Sequence, residues 1–446
     1  SVSHTTKGGL FTVQLNVAPR IIYRDNADWG VFKDALEANP TTPLMNPENQ
    51  AQYYNFNGQV VGSNPVERQV LETNHSDTKL LDWDGTLKLN LLPLFAKNGD
   101  SAHNLSTQIM FADHQYSNND SWFRPSTSTE CINNGHEGEA SRSYSKDRQY
   151  ILEWLTNYST RIADRHNIKA MIGYSYQYTQ SSGFNAYNKD FPNDGLGADN
   201  LGSGEWAKEE GEVMMGSYKN DSKLISFFGR VSYDYEGKYL FTASLRHEGS
   251  SKFGHNHKWG NFPAVSAGWR ISQENFMKDV TWVNDLKIRA DYGVTGNQDF
   301  GSYNSINTMS GFGYYYYNGK YFQVWGPGKN VNPDLKWEKG KNWNVGLDFS
   351  LLDNRIYGSL NYFNRTQQDL LGNYNVPVPP NIHESTFVNV GTMKNTGFEF
   401  DLNFNVVDNG RFSYDFGVIG TVMSNKFVNF SNSRYVGQDY YLECGT

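Results

Sequence analysis

The stretch FFGRVSYDYEGKYLFTASLRHEGSSKFG, residues 227–254, decides how this chain is read. Its residues alternate on either side of Glu236 and Gly237. Before the turn, Val231, Tyr233 and Tyr235 share one face, with Arg230, Ser232 and Asp234 on the other. After it, Tyr239, Phe241, Ala243 and Leu245 share one face, opposed by Thr242, Ser244, Arg246 and Glu248. Period-two alternation around a tight turn predicts a β-hairpin. A soluble protein and a membrane barrel both produce that pattern, so the solvent of the tyrosine face must be decided from the rest of the chain.

The alternation recurs along the sequence in about thirteen segments, many near the roughly 9–11 residues that cross a bilayer at a tilt. In residues 83–91, Trp83, Leu87, Leu89 and Leu91 oppose Asp84, Thr86, Lys88 and Asn90. In 104–111, Leu105, Thr107, Ile109 and Phe111 oppose Asn104, Ser106 and Gln108. Ile168, Ala170, Ile172, Tyr174, Tyr176 and Tyr178 form another stripe. Leu286, Ile288, Ala290 and Tyr292 alternate with Lys287, Arg289 and Asp291, and Val345, Leu347, Phe349 and Leu351 oppose Asn344, Asp348 and Ser350. Phe398, Phe400, Leu402, Phe404 and Val406 stand against Glu399, Asp401, Asn403 and Asn405.

Composition agrees with long strands. Of 446 residues 15% are aromatic, with 29 tyrosines, and 42 are glycine. That mixture favours strands joined by polar loops over long helices. Mean hydropathy is -0.66, and no run of about 18 apolar residues offers a transmembrane helix. The opening SVSHTTKGGL has no apolar core and no initiator methionine, which points to a fragment or a processed product. A net charge of -8 without a basic stripe argues against nucleic-acid binding. Cys131 and Cys444 are the only cysteines; one bridge and two free thiols are both open.

The joints between strands differ systematically in length. Short ones are ADRHN (163–167), YEGK (235–238), LDNR (352–355) and VDNG (407–410), and two of medium length near 92–102 and 272–283 share their side. Long ones span 25–78, 113–147, 181–222, 295–340 and 367–394; only 249–260 is short on that side. A sandwich has no reason to keep its long excursions at one end. A transmembrane barrel does, with short periplasmic turns and long extracellular loops. The charged face of each strand carries more Asp, Glu, Lys and Arg than a packed interior desolvates, so it belongs in a wet lumen or against a plug. Tyr235, Tyr239 and Trp343 near strand ends suit an aromatic girdle at the headgroup layer, although any β-rich protein enriches tyrosine. The expectation is an all-β, transmembrane antiparallel β-barrel. On it Arg230, Asp234, Arg246, Lys287, Arg289 and Asp291 face the lumen.

The quoted stretch, followed by WGNFPAVSAGWRISQENFM and DLKIRADYGVTGNQ, resembles the barrel of the SusC/RagA-type TonB-dependent outer-membrane transporters of Bacteroidetes. NPDLKWEKGKNWNVGLDFSLLDNRIYGSLNYFNRTQQDLL and NVGTMKNTGFEFDLNFNV extend the resemblance, which is close over 223–424 and looser in FKDALEANPTTPLMN and FPNDGLGADNLGSG. It implies part of a barrel of about 22 strands closed by a plug, in the bacterial outer membrane with extracellular loops. It further implies import of oligosaccharide or oligopeptide cargo, driven through the TonB–ExbB–ExbD complex, with a SusD-like surface lipoprotein as lid. No TonB box, N-terminal extension or plug is read ahead of Ser1, and YLECGT is not an aromatic-ended final strand. Residues 1–446 are therefore expected to be a middle portion of the barrel. A siderophore or cobalamin receptor without a lid, and a soluble β-rich carbohydrate-binding protein, are the competing readings. A barrel-embedded hydrolase is a third.

No covalent chemistry, cofactor or metal is expected. GFGYYYYNG (311–319) lacks the strand-loop-helix context of a dinucleotide fingerprint. His255 and His257 lack further ligands at metal spacing, and GHEGE (135–139) reads as a polar loop. Asp190, Asp194 and Asp199 lack the spacing of a calcium loop, and Ser, His and Asp candidates fall on different loops. The candidate substrate contacts are aromatic: Tyr314, Tyr315, Tyr316, Tyr317, Tyr321 and Trp325 in the 295–340 loop, with Trp122 and Trp206 in two others. Such rings stack on sugars or peptide side chains at low rotamer cost, or else pack on neighbouring loops or a lid.

Overall fold

The computed structural model describes residues 1–91, 103–208, 214–408 and 410–429. Its strands are β1 (Val2–Thr5), β2 (Phe11–Asp25), β3 (Thr73–Asn90), β4 (His103–Arg124), β5 (Glu139–Ile162) and β6 (His166–Lys189). They continue with β7 (Met215–Tyr235), β8 (Tyr239–Ser250), β9 (Trp259–Arg270), β10 (Val283–Asn297), β11 (Met309–Tyr317) and β12 (Lys320–Pro327). The last are β13 (Glu338–Leu351), β14 (Ile356–Gln368), β15 (Leu371–Asn375), β16 (Ser385–Asn389), β17 (Thr392–Asp408) and β18 (Ser413–Asn429). Fourteen of these, rather than about thirteen, form one antiparallel meander in the order β1–β10, β13, β14, β17, β18. β11–β12 and β15–β16 are separate hairpins inserted in two long connections. The meander is an open wall, with β1 and β18 as its edges.

The 227–254 hairpin forms as its alternation predicts. Glu236 and Gly237 both take positive φ, 53° and 69°, the backbone of a turn whose twist matches that of its strands. The Asp234 carboxylate accepts from the Gly237 amide at 2.6 Å. Ala163 and Asp164 turn the chain between β5 and β6 in the same way, as do Leu352, Asp353 and Asn354 between β13 and β14. The 272–283 joint holds two 3-10 turns, Ile271–Gln273 and Asn275–Met277. The joint at 92–102 lies outside the described residues.

Register carries the two faces across the whole wall. One row reads Tyr239, Trp269, Ile288, Leu347, Leu360 and Phe400 over six strands. On the reverse, Arg270, Lys287, Asp348, Ser359 and Asp401 form a row over five. No second layer covers the apolar face among the described residues: Phe241 is 46% exposed and Val422 71%. The fully buried large side chains lie in the long-loop end instead. Phe253, Phe262, Leu335 and Trp337 make one cluster there, and Phe123, Ala140 and Phe191 another. A sheet with a wet face and a greasy uncovered face has no core of its own, so burial concentrates where loops fold over the strand ends.

The strands are longer than expected. β5 and β6 have 24 residues each and β4 has 22. Residues 113–124, 139–147, 181–189 and 215–222, expected as loop, are paired strand. Beyond Tyr150 and Tyr178 both faces turn polar, so the period-two signal fades while backbone pairing continues. Trp343 lies inside β13 rather than opening it, opposite Tyr292. At Val406 the β17–β18 register shifts, and the expected alternation ends in a bulge.

Candidate functional site

Every long connection emerges at one end of the wall, and two of them build a cleft. The β10–β13 and β14–β17 connections are laced together by asparagine side chains that substitute for backbone partners. Asn330 Nδ2 donates to the carbonyls of His383 (2.6 Å) and Ser385 (2.9 Å), and its Oδ1 accepts from the amides of Ile382 and His383. Asn332 donates to the Phe387 carbonyl, and Asn389 both accepts from the Lys336 amide and donates to its carbonyl. Each is a two-sided polar clip, which fixes loop geometry where no continuous ladder exists.

The cleft between these loops measures about 700 Å³ and is lined by Lys329, Asn330, Tyr374, Pro377, Pro380 and Ile382, among others. Lys329 is its cation. The ammonium donates to Asn304 Oδ1 at 3.1 Å and pairs with no carboxylate among the described residues. Burial pushes its pKa below the ordinary lysine value. The sequence reading passed over Lys329, Asn330 and Asn389; the proline-rich VPVPPN run (376–381) was the one local sign of an ordered loop.

β11 and β12 project the predicted aromatics. Asn318 and Gly319 take positive φ between them, and the Asn-Gly pair in YYYYNGKYF was the sequence signal for this hairpin. Tyr316 faces Tyr321, with ring centres 5.0 Å apart, and Tyr315 stacks on Tyr317 at 6.4 Å. Tyr314, Tyr315, Tyr316, Tyr317, Tyr321 and Trp325 are thus brought into one hairpin, each more than half exposed. Trp122 and Trp206 do not join them. Trp122 ends β4 rather than lying in a loop, donates to Glu72 at 3.1 Å and carries Arg124 over its ring. Trp206 packs edge-on against Tyr187 and under Lys189.

Four of the six predicted polar-face residues converge. Asp234, Lys287, Arg289 and Asp291 line a recess of about 500 Å³ with Asn167, Lys169 and Ser266. Arg289 Nε reaches both Asp348 oxygens at 3.1 Å, and its Nη2 donates to Asn361. Arg230 borders an adjoining polar recess beside Asn104 and Asn157. Arg246 lies nearer the long-loop end, held by Glu248 at 2.7 Å and Ser226 at 2.8 Å.

The other candidates are dispersed. Asp190 accepts from the Glu137 amide, Asp194 from Ser126, and Asp199 faces Arg142 at 3.5 Å. His255 contacts Asn256. Among the described residues no three His, Cys, Asp or Glu side chains are grouped to hold a metal ion. Cys131 is buried and forms no disulfide among the described residues, and burial pushes its thiol up in pKa; Cys444 lies outside the described residues.

A single-layer antiparallel wall with one greasy and one charged face defines a membrane β-barrel. Residues 14–441 match the TonB dependent receptor-like, beta-barrel family, and the chain belongs to that family of outer-membrane proteins. It is 38% identical over 262 residues to TonB-dependent receptor P39 of Formosa agariphila, covering 58% of this chain and 24% of that protein. With TonB-dependent receptor SusC of Bacteroides thetaiotaomicron it shares 35% over 233 residues, 51% of this chain and 23% of that one. The RagAB peptide importer in its closed-closed state superposes with a TM-score of 0.76 at 20% identity, over 95% of this chain and 46% of that chain. The last likeness is one of fold. The chain spans less than half the length of these relatives.

Proposed function

We propose that this chain is wall and loop structure of an outer-membrane, TonB-dependent importer of oligosaccharides or oligopeptides. In this reading, hydrocarbon wets the row from Tyr239 to Phe400, and Arg230, Asp234, Arg246, Lys287, Arg289 and Asp291 face the lumen. The long loops are extracellular. A SusD-like lipoprotein covers them, and TonB acts on a plug carried elsewhere in the whole protein. The neighbour in fold, RagAB, is a peptide importer, which is compatible with the peptide half of this reading.

The observation that carries the reading is the placement of the 700 Å³ cleft and the tyrosine hairpin together at the long-loop end. The cleft mixes apolar Val331, Pro377, Pro380 and Ile382 with polar Lys329, Asn330, Asn375 and Asn381, a lining that suits a ligand with both apolar and hydrogen-bonding groups. Flat tyrosine rings offer contact area to a sugar or a peptide side chain at low entropic cost. The chain's part is therefore binding and conduction: the loops capture, and the charged wall keeps the path hydrated.

The test is energised uptake. Cells carrying the whole protein in the outer membrane should accumulate fluorescent oligopeptides or oligosaccharides only while the inner membrane is energised. Accumulation that persists after the proton gradient is collapsed would remove TonB-driven import. Binding and uptake that survive replacement of Tyr314, Tyr316 and Tyr321 by Ser would remove the hairpin from the cargo path.

A further inference from the structure

The polar face carries two opposite charges that do not pair with each other. Register places them on three rows. Asn342, Arg365 and Asn395 share the row nearest the long loops, Asn344, Phe363 and Gly397 the next, and Gly346, Asn361 and Glu399 the third. On β10, Asp291 extends the middle row and Arg289 the third. Together they surround a recess of about 560 Å³. β14 leaves its short turn at Ile356, and Arg365 lies about 30 Å of strand beyond it, in the long-loop half of the wall.

Phe363 holds the cation in place. Its ring is 6% exposed and lies across Gly397, where an added Cβ would come within 2.6 Å of the ring. The Arg365 guanidinium sits over that ring, 4.9 Å from its centre, a cation–π contact that orients its planar donor fork. Among the described residues no carboxylate pairs with Arg365 and no cation pairs with Glu399. Their charged neighbours are already engaged: Arg289 binds Asp348 and Asn361, and Asp291 accepts from Asn344 at 3.2 Å.

An unpaired cation and an unpaired anion therefore face one recess, two rows apart along the strands and one strand apart across them. Two rows are about 13 Å of backbone, and side chains leaning inward shorten that gap. An extended tripeptide measures about 10 Å from amine to carboxylate. The Asn342 and Asn344 amides stand beside the interval, and an amide offers both a donor and an acceptor to a peptide main chain. A neutral sugar has no charge to place at either end.

We propose that this recess holds a short peptide with both termini free, its carboxylate on Arg365 and its ammonium on Glu399. This rests on the reading above that the charged face lines the lumen of an importer, and it names peptide as the cargo class at this station. The guanidinium fork can hold a carboxylate through two parallel bonds, so Arg365 sets the direction in which the peptide lies.

Titration calorimetry on the whole protein in a neutral detergent, with trialanine as probe, tests the site. A Lys329→Met background removes the cation of the loop cleft. Amidating the carboxylate or acetylating the amine should each weaken binding about fivefold. Arg365→Met should bind trialanine and its amide equally yet still reject the acetylated peptide, and Glu399→Gln should do the reverse. Both variants should keep the barrel's heat-resistant band on a detergent gel. The blocked peptides need no substitution in the recess: equal binding of trialanine, its amide and its acetylated form overturns the proposal. So do wild-type discrimination in both variants, or displacement of trialanine by maltotriose at equal affinity. Cells that admit a large antibiotic once Arg365 or Glu399 is replaced would mark these side chains as plug contacts, which also overturns it. Energised uptake of cargo without trialanine binding refutes this station alone; the absence of any energised uptake refutes the functional reading itself.

Discussion

Leu402 and Asn403 are adjacent in β17 and face opposite ways, so a charge introduced at each separates the two faces of the wall. Leu402 sits opposite Gly358 on β14 and Val418 on β18, with Phe400 and Phe404 on its own strand. None of these four side chains offers a hydrogen-bond acceptor. Four residues separate Leu402 from Phe398 or Val406, about 13 Å of strand, farther than an arginine stem of roughly 6 Å snorkels. Leu402→Arg should therefore lose about 2–4 kcal/mol, the cost of a guanidinium near the midplane. That lowers the folding equilibrium by a factor of roughly 30 to 1000. Asn403 donates instead to Asp401 at 2.8 Å on the polar face. Asn403→Arg places its charge beside that carboxylate and should cost under ~1 kcal/mol. The assay is reversible denaturant unfolding of the whole protein in phosphatidylcholine vesicles. If the two variants are equally stable, or Asn403→Arg is the worse, the facing assignment is wrong and with it the lipid reading.

Three further outcomes follow from the geometry. Arg289 and Asp348 are each about a third exposed, so a double-mutant cycle with Arg289→Met and Asp348→Asn should give a coupling of about 0.5–1 kcal/mol, reduced by salt; none at low salt would show that the Nε–carboxylate contact is absent. Glu274, between the two 3-10 turns after β9, accepts from the Tyr239 hydroxyl at 2.5 Å and the Trp269 indole at 3.1 Å, which hold its carboxyl below the usual 4.5. Its contribution to stability is full above that value and is lost as pH falls through the depressed folded pKa. Glu274→Gln should flatten the acid side of the stability profile, and an unchanged profile refutes the contact. In the cleft, Lys329→Met should weaken binding of a peptide with a free carboxylate about tenfold relative to its amide. Wild-type affinity should decline with rising pH before the ordinary lysine value of 10.5 is reached, because desolvation has lowered the Lys329 pKa. Titration calorimetry reads both, and equal loss for acid and amide would show that the cation is not the contact.

Local chemistry was enough to make the wall legible in the sequence. A strand that separates lipid from water must alternate on every second residue, as Phe398, Phe400, Leu402 and Phe404 do. A tight turn needs residues at positive φ, which the Gly237 of YEGK and the Asp353-Asn354 pair of LDNR advertise. The polar face was legible for the same reason: Lys287, Arg289 and Asp291 sit at the polar phase of a clean alternation. The rule fails where its cause disappears. Above the aromatic belt both faces of β4–β7 are wet, hydropathy no longer alternates, and only backbone pairing shows that the strands go on.

Which residues meet across strands is decided by the tertiary structure. Arg289, Asn361 and Glu399 are up to 110 positions apart in the chain, and register alone aligns them in one row. Lys329 and Ile382 likewise share a cleft only because Asn330, Asn332 and Asn389 clip two distant loops together. Trp122 and Trp206 look equivalent to the tyrosine run in sequence, yet Glu72 and Tyr187 hold them in the scaffold. Alternation is a property of one strand and its two solvents; a site is a property of several strands at once, and its distances exist only after backbone hydrogen bonds have set the register between them.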